Sequence, residues 1–209
     1  MDLYITRHGE TEWNLEGRLQ GRLDSPLTEL GVNQARALGL KLRDEGIELI
    51  ISSPSKRAVK TAEIINEYLN LSIKTDSGLL EMDLGSWQGL NSEEIKETSI
   101  ENFDFFWNDP SRFNSDMTSG ESFEDIISRV SNSLENIILN YKNKYNKILI
   151  IGHGLVLKSI YLYIEKKPLK DFWKGEFMKQ TNLNILRVTN NKKYFILKGD
   201  TSHLEEMLK

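Results

Sequence analysis

Short apolar runs alternate along the chain with longer segments in which apolar residues recur every three or four positions. The short runs predict β-strands at residues 3–6, 48–52, 71–74 and 147–151. The longer segments predict helices at about residues 28–46, 55–69, 122–145 and 153–164, the first with Thr28 as its N-cap. Residues 182–188 and 194–198 predict a terminal β-hairpin that turns at Asn190 and Asn191.

The order of these elements predicts an α/β fold. Strands that alternate with helices form mostly parallel sheets with helices on both faces, so we expect a three-layer α/β/α architecture. Residues 1–209 show no repeat and no linker and are predicted to form a single domain. Segments 14–26 and 79–89 contain glycines and are predicted to be irregular. Residues 91–119 are polar and aromatic, and we expect short helices with a break at Asp109-Pro110, forming a lid insertion that covers the pocket.

The composition is that of an ordinary globular protein, because 39% of the 209 residues are hydrophobic, 28% are charged and the formal net charge is −4. Nucleic-acid-binding proteins usually carry a basic excess, so we expect no nucleic acid as a partner. The absence of cysteine excludes thiol chemistry and disulfides. No apolar run approaches a membrane span, and we expect neither a membrane partner nor a signal peptide, hence a cytoplasmic protein. The sequence does not specify the oligomeric state.

Two of the three histidines follow predicted strands and adjoin glycine. His8 comes after the first strand and precedes Gly9, whereas His153 follows the most apolar strand and lies between two glycines. Ligands of open α/β sheets bind beyond the carboxyl ends of the strands, so these imidazoles can face one pocket if their strands are neighbours. A neutral imidazole is a competent nucleophile when an acceptor holds its other nitrogen. For His8 the alternative is a structural histidine that caps a strand end.

Two arginines make an anion the expected ligand. Arg7 lies beside His8 and raises the local positive potential, which disfavours imidazolium. Arg57 lies in the first turn of a predicted helix, where the helix dipole favours negative charge, and such a departure from a local rule often marks a functional site. Two arginines and helix N-terminal amides can clamp phosphate oxygens. The sequence therefore predicts nucleophilic attack on phosphorus.

Glu81 is the candidate for proton transfer. A carboxyl group near bound phosphate has a raised pKa, so it can protonate a leaving oxygen and later accept a proton from water. A solvated loop acid is the alternative. His153 can donate a hydrogen bond to an equatorial phosphoryl oxygen. No spacing among His8, Glu10, Glu81 and His153 matches a zinc motif, and no aspartate cluster suggests magnesium, so we expect neither a metal nor a cofactor.

Four blocks of the sequence resemble the histidine phosphatase superfamily, in the branch that includes cofactor-dependent phosphoglycerate mutase and its phosphatase relatives. The blocks are Arg7-His8-Gly9-Glu10-Thr11 with Trp13-Asn14; Ser52-Ser53-Pro54 with Arg57-Ala58 and Thr61-Ala62-Glu63; Glu81 with Gly85, Trp87 and Gly89; and Gly152-His153-Gly154. They occur in the family's order, and the resemblance covers nearly the whole chain.

The resemblance implies roles for individual residues. It implies that His8 is the nucleophile and carries a transient phosphohistidine, and that Glu81 is the proton donor and acceptor. The phosphate-binding residues that it implies are Arg7, Asn14, Gln20, Arg57, His153 and Gly154. His203 matches no position of the pattern, and we expect it at the surface.

The residues after Trp107 bear on the choice between phosphatase and mutase. Mutases of this type resemble one another in paired arginines that follow a tryptophan and grip the substrate carboxylate. Here Asn108-Asp109-Pro110 comes next, with a single Arg112 later. Glu81-x-x-x-Gly85-x-Trp87-Gln88-Gly89 instead resembles the phosphatase branch, which includes broad-specificity phosphatases and α-ribazole phosphatase. We expect a metal-independent phosphatase of a small phosphomonoester; a mutase and a non-catalytic phosphate-binding module are the alternatives.

Aromatic residues cluster in the expected insertion, at Phe103, Phe105, Phe106, Trp107 and Phe113. They can form a hydrophobic cover over an organic phosphate, but aromatic rings also bury well without a ligand. We expect them mainly to pack short helices onto the core, and some of them to do both.

Overall fold

The computed structural model describes residues 1–175 and 178–206. Its strands are β1 (Asp2–Arg7), β2 (Leu49–Ser52), β3 (Ile73–Thr75), β4 (Lys147–Gly152), β5 (Leu183–Val188) and β6 (Lys193–Asp200). Its helices are α1 (Glu12–Leu15), α2 (Glu29–Leu42), α3 (Lys56–Leu69), α4 (Ser92–Asn108), α5 (Phe123–Tyr141), α6 (Gly154–Glu165) and α7 (Ser202–Glu206). The single domain over residues 1–209 stays a prediction, and residues 176–177 and 207–209 of it lie outside the described part.

The six strands form one sheet in the order β3-β2-β4-β1-β5-β6. The strands β3, β2, β4 and β1 pair in parallel, whereas β5 and β6 form an antiparallel hairpin at one edge. The predicted α/β fold with a mostly parallel sheet is therefore confirmed. The strands β1 and β4 are direct neighbours, with Arg7 opposite Gly152. Because both strands end at the same edge of the sheet, the residues after them, His8 and His153, leave the sheet side by side.

Helices cover both faces of the sheet. Along β4, Ile148 and Ile150 belong to the core that the sheet shares with α5 and α6, and Leu149 and Ile151 belong to the core shared with α2 and α3. All four side chains are fully buried. This is the reason for the unbroken apolar run of β4, since a parallel strand covered on both faces needs apolar residues at every position.

The capping residues place the helix starts correctly, but two helices end earlier than the sequence predicts. The hydroxyl of Thr28 accepts a hydrogen bond from the Gly31 amide at the start of α2, which ends at Leu42 and not near residue 46. In the same way α5 ends at Tyr141 and not near residue 145. Residues 43–46 and 142–144 are all polar or glycine and exposed, so an additional helical turn would have no apolar face to bury.

Two irregular segments are more helical than the sequence predicts. The predicted loop over residues 14–26 begins inside the one-turn helix α1, because Thr11 and Asn14 form a reciprocal capping box. The segment 91–119 contains one long helix, α4, with a kink at Ser99, where short helices were expected. The helix ends before Asp109-Pro110, as predicted, and two short 3-10 turns come after it.

The prediction that His203 lies at the surface is wrong. Its side chain is 2% exposed, and its Nε2 lies 3.2 Å from the Thr181 hydroxyl. Burial, with a smaller effect of Lys41, lowers the pKa of His203 to about 4. The physical reason is that α7 packs against α2, a tertiary contact of a five-residue helix that leaves no pattern in the sequence. Among the helices of residues 1–175 and 178–206, none combines the length and apolar character needed to cross a bilayer.

Candidate active site

The ends of β1 and β4 bring the two glycine-flanked histidines together. The backbone amide of His8 donates to the Gly152 carbonyl over 3.0 Å, which continues the pairing of the strands by one residue. The His8 and His153 rings lie edge to face with their centroids 5.2 Å apart. Both side chains are buried. The condition that the two strands be neighbours is thus fulfilled.

The hydrogen bonds of His8 fix which nitrogen faces a ligand. Its Nδ1 lies 2.7 Å from the Gly9 carbonyl oxygen, so Nδ1 carries the proton and donates, and the lone pair remains on Nε2. The Gly9 amide donates to the Thr61 hydroxyl over 3.1 Å. A Cβ at Gly9 would lie 2.5 Å from the Gly31 carbonyl oxygen, so only glycine fits here. The loop after β1 therefore holds the imidazole in the tautomer that a nucleophile needs.

Arg57 faces the free nitrogen of His8 and is itself held by a loop distant in sequence. Its Nε donates to His8 Nε2 over 3.3 Å, and its Nη2 donates to the Gly21 carbonyl over 2.8 Å. Its Nη1 donates to the Leu23 carbonyl over 2.6 Å and to Asp24 Oδ1 over 2.7 Å. The Arg57 side chain is 1% exposed. Its place in the first turn of α3, unfavourable by the helix dipole alone, is thus stabilised by four acceptors.

Asp24 is a residue that sequence reasoning missed. Besides binding the Arg57 side chain, its carboxylate accepts hydrogen bonds from the backbone amides of Lys56 and Arg57, over 2.9 and 3.2 Å. Ser55, the N-cap of α3, makes no side-chain capping bond. Asp24 therefore caps α3 from another loop and orients Arg57 at the same time.

His153 lies beneath His8 and is fully buried. Its Nε2 lies 2.8 Å from the Ser53 hydroxyl and 3.2 Å from the Ser55 hydroxyl. Its Nδ1 has no hydrogen-bond partner among the described residues. If the serine hydroxyls donate to Nε2, the proton lies on Nδ1, which leaves an unpaired N–H donor buried beside His8.

Arg7 and Gly154 complete the cationic side of the site. Arg7 Nη1 donates to the Met178 carbonyl over 2.7 Å, whereas its buried Nε has no partner in the part of the chain that the structure describes. Gly154 opens α6, and a Cβ there would lie 3.8 Å from the Arg7 guanidinium and 3.9 Å from Glu81 Oε2. The N-terminus of a 12-residue helix thus lies between a guanidinium and a carboxyl group, in a position favourable for an anion.

Glu81 is buried, which contradicts its interpretation as a solvated loop acid. Its Oε1 accepts from the Met82 amide over 3.1 Å, and its Oε2 accepts from the Leu155 amide over 3.3 Å. Burial raises the pKa of Glu81 against the opposing effects of Arg57, the two amides and Arg7. A carboxyl group with a raised pKa is suited to donating a proton near neutral pH.

Both site histidines are held neutral. Burial, followed by the charges of Arg57 and Arg7, lowers the pKa of His8 well below its usual value. Burial also lowers the pKa of His153, with further contributions from Arg57 and His8. A neutral His8 can act as a nucleophile, because its Nε2 lone pair is not protonated.

These residues open onto a cavity of about 280 Å³. On one side it is lined by what we call the polar wall, namely Arg7, His8, Arg57, Glu81 and the backbone of Gly154; Asn14, Arg18, Gln20 and Lys158 are further polar lining residues. Its apolar lining residues, which we call the apolar wall, are Leu19, Leu84, Trp107, Leu155, Trp173 and Met178. His153 lies behind the polar wall. A wider groove of about 760 Å³, between α6 and the β5–β6 turn, contains none of the predicted site residues.

Asn14 and Gln20 also line the cavity, as predicted for phosphate-binding residues. Asn14 Oδ1 is engaged by the amide and hydroxyl of Thr11, which leaves the Asn14 amide nitrogen for a ligand. Gln20 Nε2 donates to the Thr11 hydroxyl over 2.8 Å, and its Oε1 accepts from Ser25 over 3.4 Å. Contact of Asn14 and Gln20 with phosphate stays a prediction.

The apolar wall comes from segments far apart in sequence. Trp107, at the end of α4, packs on Trp173 with ring centroids 4.6 Å apart. Phe103 and Phe106 are buried in the core, and Phe105 lies under the Arg112 guanidinium at 3.9 Å. The predicted packing role is therefore confirmed for Phe103 and Phe106, whereas Trp107 both packs on Trp173 and lines the cavity; a role of the cluster as a cover over substrate stays a prediction. Trp173 was missed, because no pattern in the sequence connects it with α4.

The chain is similar to known proteins over nearly its full length. A family profile described as "Histidine phosphatase superfamily (branch 1)" matches residues 3–201. "Phosphoserine phosphatase 1" of Hydrogenobacter thermophilus is 30% identical over 204 residues, covering 98% of this chain and 94% of that protein. "Probable phosphoglycerate mutase GpmB" of Escherichia coli is 31% identical over 215 residues, covering 98% of this chain and 95% of that protein.

The fold is also shared with solved structures. YhfR of Bacillus stearothermophilus has a TM-score of 0.93 and 36% sequence identity, with 97% of this chain and 98% of that chain covered. Among the described residues, no group of three or more histidine, aspartate or glutamate side chains is arranged to hold a metal ion.

Proposed function

The chain belongs to branch 1 of the histidine phosphatase superfamily, and we propose that it hydrolyses small phosphomonoesters, without a metal, through a phosphohistidine on His8. The observation that carries the proposal is the hydrogen bonding of His8. Its Nδ1 proton is donated to the Gly9 carbonyl, so that the Nε2 lone pair faces the cavity beside Arg57 Nε. An imidazole held in this way attacks through one defined atom.

The polar wall supplies what a phosphoryl group needs for binding. Arg7 Nε and Arg57 Nε are donors that a phosphoryl oxygen can engage, and the amides at the start of α6 add the helix dipole. Binding of substrate would take Arg57 Nε from His8 Nε2 and so release the lone pair for attack. His153 would add a further donor from behind the polar wall when its proton lies on Nδ1, which has no partner among the described residues. Cationic side chains here take the role that a metal has in other phosphatases.

The first half-reaction forms the phosphohistidine. His8 Nε2 attacks phosphorus while the bond to the leaving oxygen breaks, and Glu81 donates its proton to that oxygen, so that the alcohol leaves neutral. Burial raises the pKa of Glu81, which favours the protonated form that this step requires.

The second half-reaction returns the enzyme to its starting state. Glu81, now a carboxylate, accepts a proton from water, and the resulting hydroxide attacks phosphorus as the P–N bond breaks. Inorganic phosphate is released, and His8 again carries a free Nε2. Each turnover thus consumes one water, and Glu81 is proton donor in one step and acceptor in the next.

A mutase is the second candidate, because one relative is named a probable phosphoglycerate mutase. The arrangement around the cavity favours hydrolysis. Arg112, the single arginine after Trp107, lies over the Phe105 ring and does not line the cavity. Arg18 lines the cavity but is paired with Glu16 and Glu94. Neither arginine therefore lines the cavity with an unpaired guanidinium that could bind a substrate carboxylate.

The apolar wall favours substrates whose leaving group is apolar or aromatic. Such a group would bury surface against Trp107, Trp173 and the neighbouring aliphatic side chains. Trp107 is the contribution of residues 91–119 to this wall, and the role of that segment as a lid insertion that covers the pocket stays a prediction. The cytoplasmic location also stays a prediction.

One assay separates hydrolysis from isomerisation and from mere binding. The purified protein is incubated with 3-phosphoglycerate, phosphoserine, alkyl phosphates and aryl phosphates, with and without EDTA; inorganic phosphate and 2-phosphoglycerate are both measured, and binding of each compound is followed by titration calorimetry. We expect phosphate release that EDTA does not reduce, with kcat/KM higher for aryl than for small polar substrates. Predominant 2-phosphoglycerate would establish the mutase alternative. Binding without turnover across the series would establish the non-catalytic module.

A further inference from the structure

Arg129, on α5, makes an unusual set of contacts to the chain around Glu81. Its Nη1 donates to the carbonyls of Gly78 and Leu80, over 3.0 and 2.9 Å, and its Nη2 donates to the carbonyl of Glu81 over 3.3 Å. Three carbonyls within four consecutive residues thus converge on one guanidinium. The last of them belongs to the proposed proton donor.

Glu121 uses the remaining donors of Arg129. Its Oε1 accepts from Arg129 Nε over 2.9 Å, and its Oε2 accepts from Arg129 Nη2 over 2.7 Å. With these two bonds all five N–H groups of Arg129 are engaged. Glu121 Oε2 also accepts from the Asp83 amide over 2.9 Å. The pair therefore holds the backbone on both sides of Glu81.

The pair is largely withdrawn from solvent. The side chains of Arg129 and Glu121 are 22% and 16% exposed. Burial alone would raise the pKa of Glu121, but the hydrogen bonds from Arg129 and the Asp83 amide outweigh it, so the pKa lies below its usual value. Glu121 is thus ionised at neutral pH, and its contact with Arg129 is a bidentate, charge-assisted pair, the strong form of this interaction.

A third residue connects the pair to the other side of the cavity. Arg22 Nη2 lies 3.0 Å from Glu121 Oε1, and its Nη1 lies 3.3 Å from Asp83 Oδ2. The preceding residue, Gly21, supplies the carbonyl that accepts from Arg57. The Glu121 side chain therefore contacts both the segment that carries Glu81 and the loop that binds the Arg57 guanidinium.

The Glu81 segment needs such support because it has no regular structure of its own. It lies between 3-10 turns at Ser77–Leu79 and Gly85–Trp87, with no ladder of backbone hydrogen bonds. A general acid acts only within hydrogen-bond reach of the leaving oxygen, and a displacement of about 1 Å can cost about 10²-fold in rate.

We propose that Arg129 and Glu121 are positioning residues that hold Glu81 where its carboxyl group can reach the leaving oxygen. The proposal rests on the proposed function, because it assigns to the pair a role through Glu81 and none in binding phosphate. It predicts a specific kinetic signature. Proton donation matters for a poor leaving group such as an alkoxide and matters little for p-nitrophenolate, which leaves without a proton.

The experiment compares kcat/KM for an alkyl phosphate and for p-nitrophenyl phosphate in Arg129→Gln, Arg129→Lys, Glu121→Gln and Glu81→Gln. For Arg129→Gln we expect about a tenfold or greater loss on the alkyl phosphate and less than about a threefold loss on p-nitrophenyl phosphate. Arg129→Lys keeps the charge and part of the donors, so it should recover part of the alkyl activity. The double variant Arg129→Gln/Glu81→Gln should be no slower than Glu81→Gln alone, because both changes remove the same proton transfer.

The matched control is Arg187→Gln. Arg187 makes a bidentate pair with Asp2 at the opposite end of β1, so its loss removes a comparable ion pair far from the cavity. It should leave the ratio of the two substrates unchanged. Thermal unfolding of each variant identifies loss of folded protein, which would lower both activities equally.

Two outcomes overturn different claims. Equal losses on both substrates in Arg129→Gln, or a double variant slower than Glu81→Gln by the full product of the single effects, would overturn the positioning role while leaving the proposed function intact. A Glu81→Gln variant without any leaving-group dependence would instead contradict the role of Glu81 in the proposed function itself.

Discussion

The two walls of the cavity are built in different ways. In the polar wall, Arg7, His8 and Gly154 lie at the ends of regular elements, and hydrogen bonds to backbone groups fix the side chains. In the apolar wall, Trp107 and Trp173 come from separate segments and are held mainly by contact with each other and with buried rings. The comparison teaches that strand and helix ends position most of the polar wall, whereas Glu81 and the apolar wall depend on contacts between segments that are distant in sequence.

The largest loss of activity should follow removal of the nucleophile from the polar wall. We expect His8→Ala to lose at least about 10⁴-fold in kcat on every phosphomonoester, because no other group in the described part of the site has a free nucleophilic nitrogen facing the cavity. The measurement is steady-state phosphate release. His203→Ala, which removes a buried histidine that does not line the cavity, is the control and should retain turnover in its folded fraction. Activity of His8→Ala near that of the native protein would refute the covalent route.

The second variant separates proton donation from binding within the polar wall. Glu81→Gln keeps the size of the side chain and one of its two acceptor oxygens, so it retains one of the hydrogen bonds from the Met82 and Leu155 amides but cannot donate an acidic proton. We expect a loss of about 10² to 10⁴-fold in kcat on an alkyl phosphate, with little change in the inhibition constant of inorganic phosphate. A similar loss in phosphate affinity would show that Glu81 acts in binding instead.

The pH dependence of kcat/KM, corrected for ionisation of the substrate, reports the two protonation states that the polar wall maintains. His8 must be neutral, and its pKa is lowered, so activity should persist below pH 6.5 and fall only as the pH passes through that lowered value. Glu81 must be protonated, and its pKa is raised, so activity should fall by about tenfold per pH unit as the pH rises above that value. Glu81→Gln should lack this alkaline limb. An acid limb at the usual pKa of histidine would contradict the burial of His8.

A smaller effect is expected at Asp24, which supports the polar wall without lining the cavity. Asp24→Ala removes the carboxylate that orients Arg57 and caps α3, and we expect kcat/KM to fall by about 10 to 100-fold, an effect of the size of one or two charge-assisted hydrogen bonds. Asp44, whose side chain is 87% exposed, provides the control variant Asp44→Ala, which should behave as the native protein. Equal kcat/KM in the two variants would show that Arg57 holds its position without Asp24.

The smallest effect should come from the apolar wall and should depend on the substrate. We expect Trp107→Leu to raise KM for a naphthyl phosphate by about tenfold, because the naphthyl ring buries less apolar surface, while kcat/KM for a methyl phosphate changes little. Trp13→Leu, at a half-buried tryptophan outside the cavity, is the matched control. If Trp107→Leu affects both substrates equally, the wall supports the structure of the site and does not select substrates.

The same contrast explains what could be predicted from the sequence. The family, the mostly parallel sheet and the enzyme class are confirmed. They could be predicted because the histidines that follow the strands and Arg57 at its helix start belong to local sequence patterns. The structure brings Arg7, His8, Arg57 and Glu81 to one cavity and places His153 behind it, although their individual roles stay predictions.

Residues whose role depends on distant partners could not be predicted. Asp24 meets Arg57 across 33 residues, and Arg129 meets Leu80 across 49. Trp173 donates to the carbonyl of Phe106 across 67 residues. Local spacing carries no information on such contacts. The burial of His203 was missed for the same reason, since the packing of α7 decides it.

The most direct test of the phosphohistidine mechanism is to identify the covalent intermediate. The protein is mixed rapidly with an aryl phosphate and quenched in alkali, which preserves a phosphohistidine, and the peptides are then analysed by mass spectrometry. The mechanism predicts a phosphoryl group on the peptide that contains His8, assigned to that imidazole by fragmentation and removed by acid. Continued turnover with no phosphoryl group on His8 at any quench time, or with the group on another residue, would contradict it.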